Sequence, residues 1–395
     1  MTAARRTRIL IVDDSAVMRS LLRSVVTTDA GLEVAGTAAD GASALASLAQ
    51  LQPDLILLDV EMPVMDGLVT LRELRRRGNR MPVIMCSSLT QRGARVTIEA
   101  LACGASDYVT KPTGQSGREA ALNALAGELI PKIHALSRPS QPRPSIQFSA
   151  QSMSPAPVSS LPGIGRASSA PSPSLLSRQP LRPQPITAIP SVVAIGVSTG
   201  GPAALDVLLP LLPATFQLPV LIVQHMPELF TRLFAERLNG RCKLRVREAA
   251  EGDLVVPGTI SIARGNWHLE VVAASLASAP PTLRLTQGPL ENHCRPAVDV
   301  LFRSAAKVYG SGVLAVVLTG MGSDGLIGSR IVREQGGSVL AQDEASSTVW
   351  GMPGAVASAG LAHRILPLEA IAPEILRVAA LARPISGTFS RQAVS

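Results

Sequence analysis

The chain has 395 residues, 46% of them hydrophobic and 17% charged, and a formal net charge of +8. That length gives two or three domains, and the apolar content excludes global disorder. The cysteines Cys86, Cys103, Cys242 and Cys294 are scattered and form no CxxC pair. They exclude a disulfide scaffold and a structural zinc site, and free thiols suit a reducing compartment.

The first apolar run, Ile9 to Val12, meets Asp13 and Asp14 at once. It is too short for a secretory signal. The greasiest stretch, Leu205 to Val223, is interrupted by Asp206, Pro210, Pro213 and Pro219 and cannot span a bilayer. A cytoplasmic protein with no membrane insertion is the expectation.

From Arg8 onward, strand and helix signals alternate. The predicted strands are Arg8–Val12, Glu33–Ala38, Asp54–Leu58, Val83–Cys86 and Ser106–Val109. The predicted helices are Ser15–Thr27, Gly41–Gln50, Leu68–Arg77, Arg95–Ala102 and Glu119–His134. This (βα)5 order implies a doubly wound parallel sheet. The composition changes between Ser137 and Pro190, which hold 12 prolines, five arginines and no acidic residue. Such a segment reads as a disordered linker over 137–190. It carries +5 of the net charge, so the basic balance does not mark a folded nucleic-acid surface.

The alternation resumes at 191 and runs to 383, followed by a polar tail at 384–395. Strands are predicted at Val192–Val197, Pro219–Val223, Gly312–Leu318 and Ser338–Ala341. Helices are predicted after Gly200-Gly201-Pro202 and at Phe230–Leu238, Ala297–Tyr309, Ser323–Gln335 and Leu368–Ala382. A β-rich insertion covers Leu244–Leu285. The fold class is therefore α/β, with two doubly wound parallel-sheet domains, the second larger and Rossmann-like.

Asp13 and Asp14 follow the first strand of the chain, and Asp59 follows the third. In an open parallel sheet these ends converge at the switch point. Three close carboxylates need a cation, and hard oxygen ligands suit Mg²⁺. Ser87 follows the fourth strand and Lys111 the fifth. A metal, an ammonium and a hydroxyl around one carboxylate suit an acyl phosphate formed on Asp59. One acid at a strand end is usually a solvated loop residue; all five groups in order on one (βα)5 pattern are not.

In the second domain, Ser198-Thr199-Gly200-Gly201 joins a strand to a helix. Alone, it could equally be a phosphate-binding turn, although it lacks the full dinucleotide spacing. His225 ends the next strand, and Asp324 follows another. Ser198, His225 and Asp324 then meet at one sheet edge as nucleophile, base and orienting acid. Backbone N–H groups at Thr199 or Met321 could form the oxyanion hole. A thiol catalyst built on His293 and Cys294 is a weaker option, because neighbours on an extended chain point to opposite faces. Trp267 and Trp350 read as packing anchors, and His134 and His363 as surface or core fillers.

Both halves carry a family resemblance. Val12-Asp13-Asp14, Leu58-Asp59-Val60-Glu61-Met62-Pro63-Val64-Met65-Asp66-Gly67 and Lys111-Pro112 resemble the receiver domain of response regulators. That resemblance implies Asp59 as phosphoacceptor, Asp13 and Asp14 with Asp59 as the Mg²⁺ site, and Ser87, Tyr108 and Lys111 as switch residues. Ser198-Thr-Gly-Gly201, Gln224-His225-Met226-Pro227, Arg295-Pro296-Ala297-Val298-Asp299 and Thr319-Gly-Met321-Gly-Ser-Asp324-Gly325 resemble the chemotaxis protein-glutamate methylesterases, the CheB family. That resemblance implies a phosphorylation-activated esterase, with no cofactor in the esterase domain. Its substrates would be methyl-accepting chemoreceptors, and a chemotaxis histidine kinase would be its phosphodonor. It also implies deamidation of receptor glutamines and no nucleic-acid partner. The same esterase in a non-motility chemosensory pathway fits the sequence equally. A DNA-binding output domain would instead require a helix-turn-helix or a basic helix face, and residues 191–395 scatter their basic groups.

Overall fold

The computed structural model describes residues 5–112, 117–137, 185–276 and 279–381. The linker expected over 137–190 lies outside them except for Ser137 and 185–190, and so does the tail at 384–395. Within 185–190, Ile186 is buried.

The first domain is the expected (βα)5 unit. Strands β1 (Thr7–Val12), β2 (Leu32–Ala38), β3 (Leu55–Asp59), β4 (Val83–Ser87) and β5 (Asp107–Thr110) form an all-parallel sheet ordered β2-β1-β3-β4-β5. Helices α1 (Ala16–Thr27), α2 (Gly41–Leu51), α3 (Gly67–Arg76), α4 (Gln91–Ala102) and α5 (Arg118–Ser137) cover its two faces. Both faces being covered, β3 and β4 are continuous buried runs rather than alternating ones. The helix starts are set by capping side chains. Ser15, Asp40, Asp66 and Thr90 each accept a hydrogen bond from the backbone N–H three residues on.

The second domain has a seven-stranded parallel sheet. Its strands are β6 (Val192–Val197), β7 (Val220–Gln224), β8 (Arg245–Glu248), β9 (Thr259–Ile262), β12 (Val313–Val317), β13 (Ser338–Gln342) and β14 (Arg364–Leu366), ordered β14-β13-β12-β6-β7-β9-β8. The helices are α6 (Gly201–Leu208), α7 (Glu228–Asn239), α8 (Val298–Tyr309), α9 (Leu326–Glu334), α10 (Met352–Ser358) and α11 (Leu368–Ala379). The expected β-rich insertion divides. β8 and β9 join the main sheet, where Ile260 and Ile262 are fully buried, and only β10 (His268–Val272) and β11 (Thr282–Thr286) form a separate antiparallel hairpin.

Two elements carry no clear signal in the sequence. α10 lies in the sequence Gly351-Met-Pro-Gly354, whose glycines and proline read as a loop; Pro353 is tolerated because it sits in the first turn. β14 is an edge strand of three residues. One further difference bears on the site. The helix expected from Ser323 begins at Leu326, because Gly325 takes the left-handed conformation at φ 88° and leaves Asp324 in the loop.

The two sheets share a buried boundary. Tyr108, at the end of the first domain's sheet, stacks on Phe230 of α7 with ring centroids 4.8 Å apart and planes 12° from parallel. Both rings belong to one apolar cluster that continues into Leu205, Leu233 and Ile375. Full burial of Phe230 contributes about 1.5–3 kcal/mol, and an aromatic pair adds about 0.5–1.5 kcal/mol.

Candidate functional sites

The first site lies at the carboxyl ends of β1 and β3, where the strand order switches direction. One carboxylate oxygen from each of Asp13, Asp14 and Asp59 lies within 4.8 Å of the others. Asp13 and Asp59 are nearly fully buried, and Asp14 is exposed. Lys111 reaches into the cluster, with Nζ 2.8 Å from Asp13 Oδ2 and 2.7 Å from Asp59 Oδ1. Burial pushes the Asp59 carboxyl up to about 6; Lys111 opposes this, and repulsion from Asp13 adds to it. Asp13 Oδ2 is buried and, apart from the Lys111 charge, makes no hydrogen bond. A buried carboxylate oxygen met only by the Lys111 ammonium, beside two further carboxylates, fits a hard divalent cation such as Mg²⁺.

The other expected switch groups are also located. Ser87 is fully buried; its hydroxyl accepts from Thr97 Oγ1 at 2.7 Å and donates to the Ser88 carbonyl at 3.2 Å. Tyr108 is buried against Phe230. Lys132 of α5 sits over its ring at 5.1 Å and donates to its carbonyl at 2.6 Å.

The second site lies at the switch point of the second sheet, where β6 has β7 on one side and β12 on the other. Register Val197↔Gln224 brings Ser198 beside His225, and Asp324 follows β12. The turn into α6 is tight. Gly200 is left-handed at φ 79°, and a Cβ on Gly201 would lie 2.0 Å from Gln224 Oε1. The Gln224 amide donates to the carbonyls of Ser198 at 3.1 Å and His225 at 3.2 Å, tying the two residues together.

His225 Nε2 bonds Asp324 Oδ2 at 2.8 Å. Asp324 is 2% exposed, yet it is well satisfied. Oδ2 also accepts from Val298 N at 2.6 Å. Oδ1 accepts from Asp299 N, Gly325 N and Asn292 Nδ2, each at 2.9 Å. Burial alone would raise the Asp324 carboxyl; the His225 hydrogen bond and charge and the backbone N–H groups outweigh it and hold it below the ordinary carboxylate value.

The other ring nitrogen of His225 is met by a thiol: Cys294 Sγ lies 3.6 Å from Nδ1. Ser198 Oγ makes no hydrogen bond to His225 among the described residues. Burial would lower the imidazole, but Asp324 and Cys294 raise it to about 9. The pairing of His293 with Cys294 does not occur. Asn292 and His293 are both left-handed, at φ 52° and 62°, and His293 is exposed while Cys294 turns in toward His225. The Thr199 and Met321 N–H groups donate to no other protein atom among the described residues.

The other histidines and the tryptophans serve packing or local structure. His268 Nδ1 accepts from Ala297 N, and its Nε2 meets the Pro289 carbonyl at 2.8 Å. His363 accepts from Val339 N, and His134 pairs with Asp29. Trp350 donates to the Gln342 carbonyl, and Arg264 lies over the Trp267 ring.

The two domains meet beside the second site. Thr199 Oγ1, one residue beyond Ser198, donates to Asp107 Oδ2 of β5 at 2.6 Å, and both residues are buried. Asp107 directly precedes Tyr108, so the first domain touches the second one residue from Ser198. No sequence pattern signals this bond, because the partners lie 92 residues apart. Nor does any pattern mark Asn292 as part of the site.

A receiver fold with its acidic cluster, joined to a Ser–His–Asp set on a second parallel sheet, defines a response regulator with a hydrolase output domain. Residues 9–123 match the response regulator receiver domain, and residues 193–375 match the CheB methylesterase domain. Along 95% of its length the chain is 49% identical to a protein-glutamate methylesterase/protein-glutamine glutaminase of Nocardioides sp., 96% of which is covered. It is 46% identical over 94% of its length to the protein of the same description from Trichodesmium erythraeum, with 98% covered. The chain belongs to this protein-glutamate methylesterase/protein-glutamine glutaminase (CheB) family. The CheB methylesterase catalytic domain of Thermotoga maritima is 40% identical with a TM-score of 0.46, covering 48% of this chain and 98% of that one. No described helix is long and apolar enough to cross a membrane.

Proposed function

We propose that the chain is a cytoplasmic, phosphorylation-controlled esterase that removes methyl groups from glutamate γ-esters on chemoreceptors. The single observation that carries this is the bond from His225 to a five-donor Asp324 beside Ser198. Ser198 Oγ attacks the ester carbonyl while His225 Nδ1 takes its proton, and ionised Asp324 holds the imidazole by Nε2. The Thr199 and Met321 N–H groups receive the oxyanion. His225 returns the proton to the departing methanol. Water then cleaves the acyl-Ser198 ester, with His225 again as base, and frees the glutamate. The same steps on a glutamine side chain would release ammonia and account for glutaminase activity.

The receiver supplies control. Asp13, Asp14 and Asp59 would hold Mg²⁺, which neutralises phosphoryl oxygens during transfer to Asp59 from a chemotaxis histidine kinase. Lys111, which pairs with Asp13 and Asp59 in this structure, would meet the same phosphoryl oxygens. In this structure, Asp107 binds Thr199 next to Ser198 and Tyr108 stacks on Phe230 of α7, and the two together cap this part of the second domain. Phosphorylation of Asp59 would favour a state in which this cap is released.

The test is methanol release from methylated receptor, with and without a small-molecule phosphodonor. Wild type is expected to respond to the phosphodonor and Asp59→Ala is not, while Ser198→Ala is expected to lose activity by about 10⁴-fold or more. Methanol release by Ser198→Ala at the wild-type rate would sink the proposal.

A further inference from the structure

Asp324 is not the only buried carboxylate near His225. Asp299, at the start of α8, is 1% exposed, and its Oδ1 accepts from Gly328 N at 2.6 Å. Its other oxygen faces the Asn292 side chain, with Nδ2 2.9 Å from Asp299 Oδ2. The same Nδ2 lies 2.9 Å from Asp324 Oδ1. One NH₂ group therefore donates to two buried carboxylates. No orientation of the amide but nitrogen-inward satisfies both, since each partner oxygen is an acceptor. Asn292 holds φ 52°, a left-handed conformation that asparagine tolerates better than most residues.

Two carboxylates sharing a buried site ordinarily keep one proton between them, because both charges cannot be sustained. The charged groups facing this pair are few. His225 faces Asp324 from the end of β7, with Cys294 beyond it. Arg303 on α8 pairs with Glu291 at 2.7 Å and also feels the Asp299 charge. Burial raises the Asp299 carboxyl; the Gly328 N–H opposes this, the Asp324 charge adds to it, and the Asn292 hydrogen bond draws it back.

We propose that Asn292 is a positioning residue for the hydrolase: its amide bridges Asp299 and Asp324, so that the two carboxylates share no proton and Asp324 stays aimed at His225. The proposal rests on the esterase function proposed above only for its kinetic consequence. Its direct consequence, the protonation state of a buried carboxyl group, is readable without any substrate.

The experiment compares full-length wild type, Asn292→Ala, Asp299→Asn and the double variant. Infrared difference spectra near neutral pH are expected to show the carbonyl stretch of a protonated carboxyl in Asn292→Ala and none in wild type. The kcat of Asn292→Ala is expected to fall about tenfold or more at neutral pH, with KM little changed. The loss should shrink as pH rises and the shared proton leaves, by at most about tenfold for each pH step of one. Adding Asp299→Asn removes the competing carboxylate and should abolish the new band and restore most of kcat. If Asn292→Ala does not fold, Asn292→Asp takes its place. It keeps the shape and the left-handed conformation but adds a third carboxylate, so the band should appear. A folded variant without the band, or a loss in kcat that neither pH nor Asp299→Asn relieves, overturns the proposal. Failure of the esterase function itself would show instead as no methanol release by wild type, whatever the spectra.

Discussion

Asp59 and Asp324 occupy comparable places. One ends a strand and the other follows one, each beside the switch point of a parallel sheet, and they are 3% and 2% exposed. Their titrations nevertheless move apart. Asp59 is pushed up to about 6 and Asp324 is held below the ordinary carboxylate value. Burial acts on both in the same direction. The difference lies in the donors. Asp324 accepts from the His225 ring, the Asn292 amide and three backbone N–H groups, all fixed by the fold. Asp59 has the Lys111 ammonium, which it shares with Asp13, and a second carboxylate close by that repels it. Fixed donors thus produce a permanent charge suited to orienting a base. Their scarcity leaves a charge that a cation or a phosphoryl group can reorganise.

The most severe way to break this contrast is Asp324→Asn, which keeps the shape and removes the charge. It is expected to lower kcat for methanol release by about 10⁴-fold, and a loss below tenfold would mean that His225 does not depend on this carboxylate. Next in size is the bond between the two domains. Asp107→Ala removes the acceptor for Thr199 Oγ1. A hydrogen bond to a charged group contributes about 1.5–3 kcal/mol, so methanol release without phosphodonor should rise about tenfold or more. An unchanged basal rate would show that this bond does not restrain the unphosphorylated state.

Two smaller effects concern pH. Cys294 helps to raise His225 to about 9, and a base must be neutral to accept the Ser198 proton. Removing that contribution in Cys294→Ala lowers the imidazole value, so the acidic limb of the kcat/KM profile should move down the pH scale. A limb that stays in place or moves upward contradicts the role given to the thiol. At the other site, Asp59 must be ionised to attack a phosphodonor. Without Mg²⁺, the Asp59 carboxyl should take up its proton as pH drops through about 6, read by infrared or NMR titration. Lys111→Met removes the group that lowers Asp59 and should move that midpoint upward, and an unmoved midpoint would argue that Lys111 does not govern this titration.

Much of both sites is legible in the sequence because parallel sheets collect strand ends. Asp13, Asp14, Asp59, Ser198, His225 and Asp324 each sit at or just after the carboxyl end of a short apolar run, and the topology brings them together. The hidden parts depend on contacts that no local period encodes. The segment around Asn292 reads as an extended loop, and period-two reasoning sends His293 and Cys294 to opposite faces. Two successive left-handed residues turn the chain so that the Asn292 amide meets the acids and Cys294 meets the base. The β-rich insertion is visible as strands, but not which of them enter the main sheet, because that depends on pairing partners distant in sequence.

The bond from Asp107 to Thr199 spans two domains, yet it lies one residue from Tyr108 and one residue from Ser198. Coupling of this kind is reciprocal as a matter of thermodynamics. If acyl phosphate on Asp59 favours departure of the cap from Ser198, then a receptor segment lodged against Ser198 favours acyl phosphate on Asp59 by the same factor. The substrate would then also be an effector of the receiver, and an enzyme engaged with it would hold an activating phosphoryl group more firmly than an idle one.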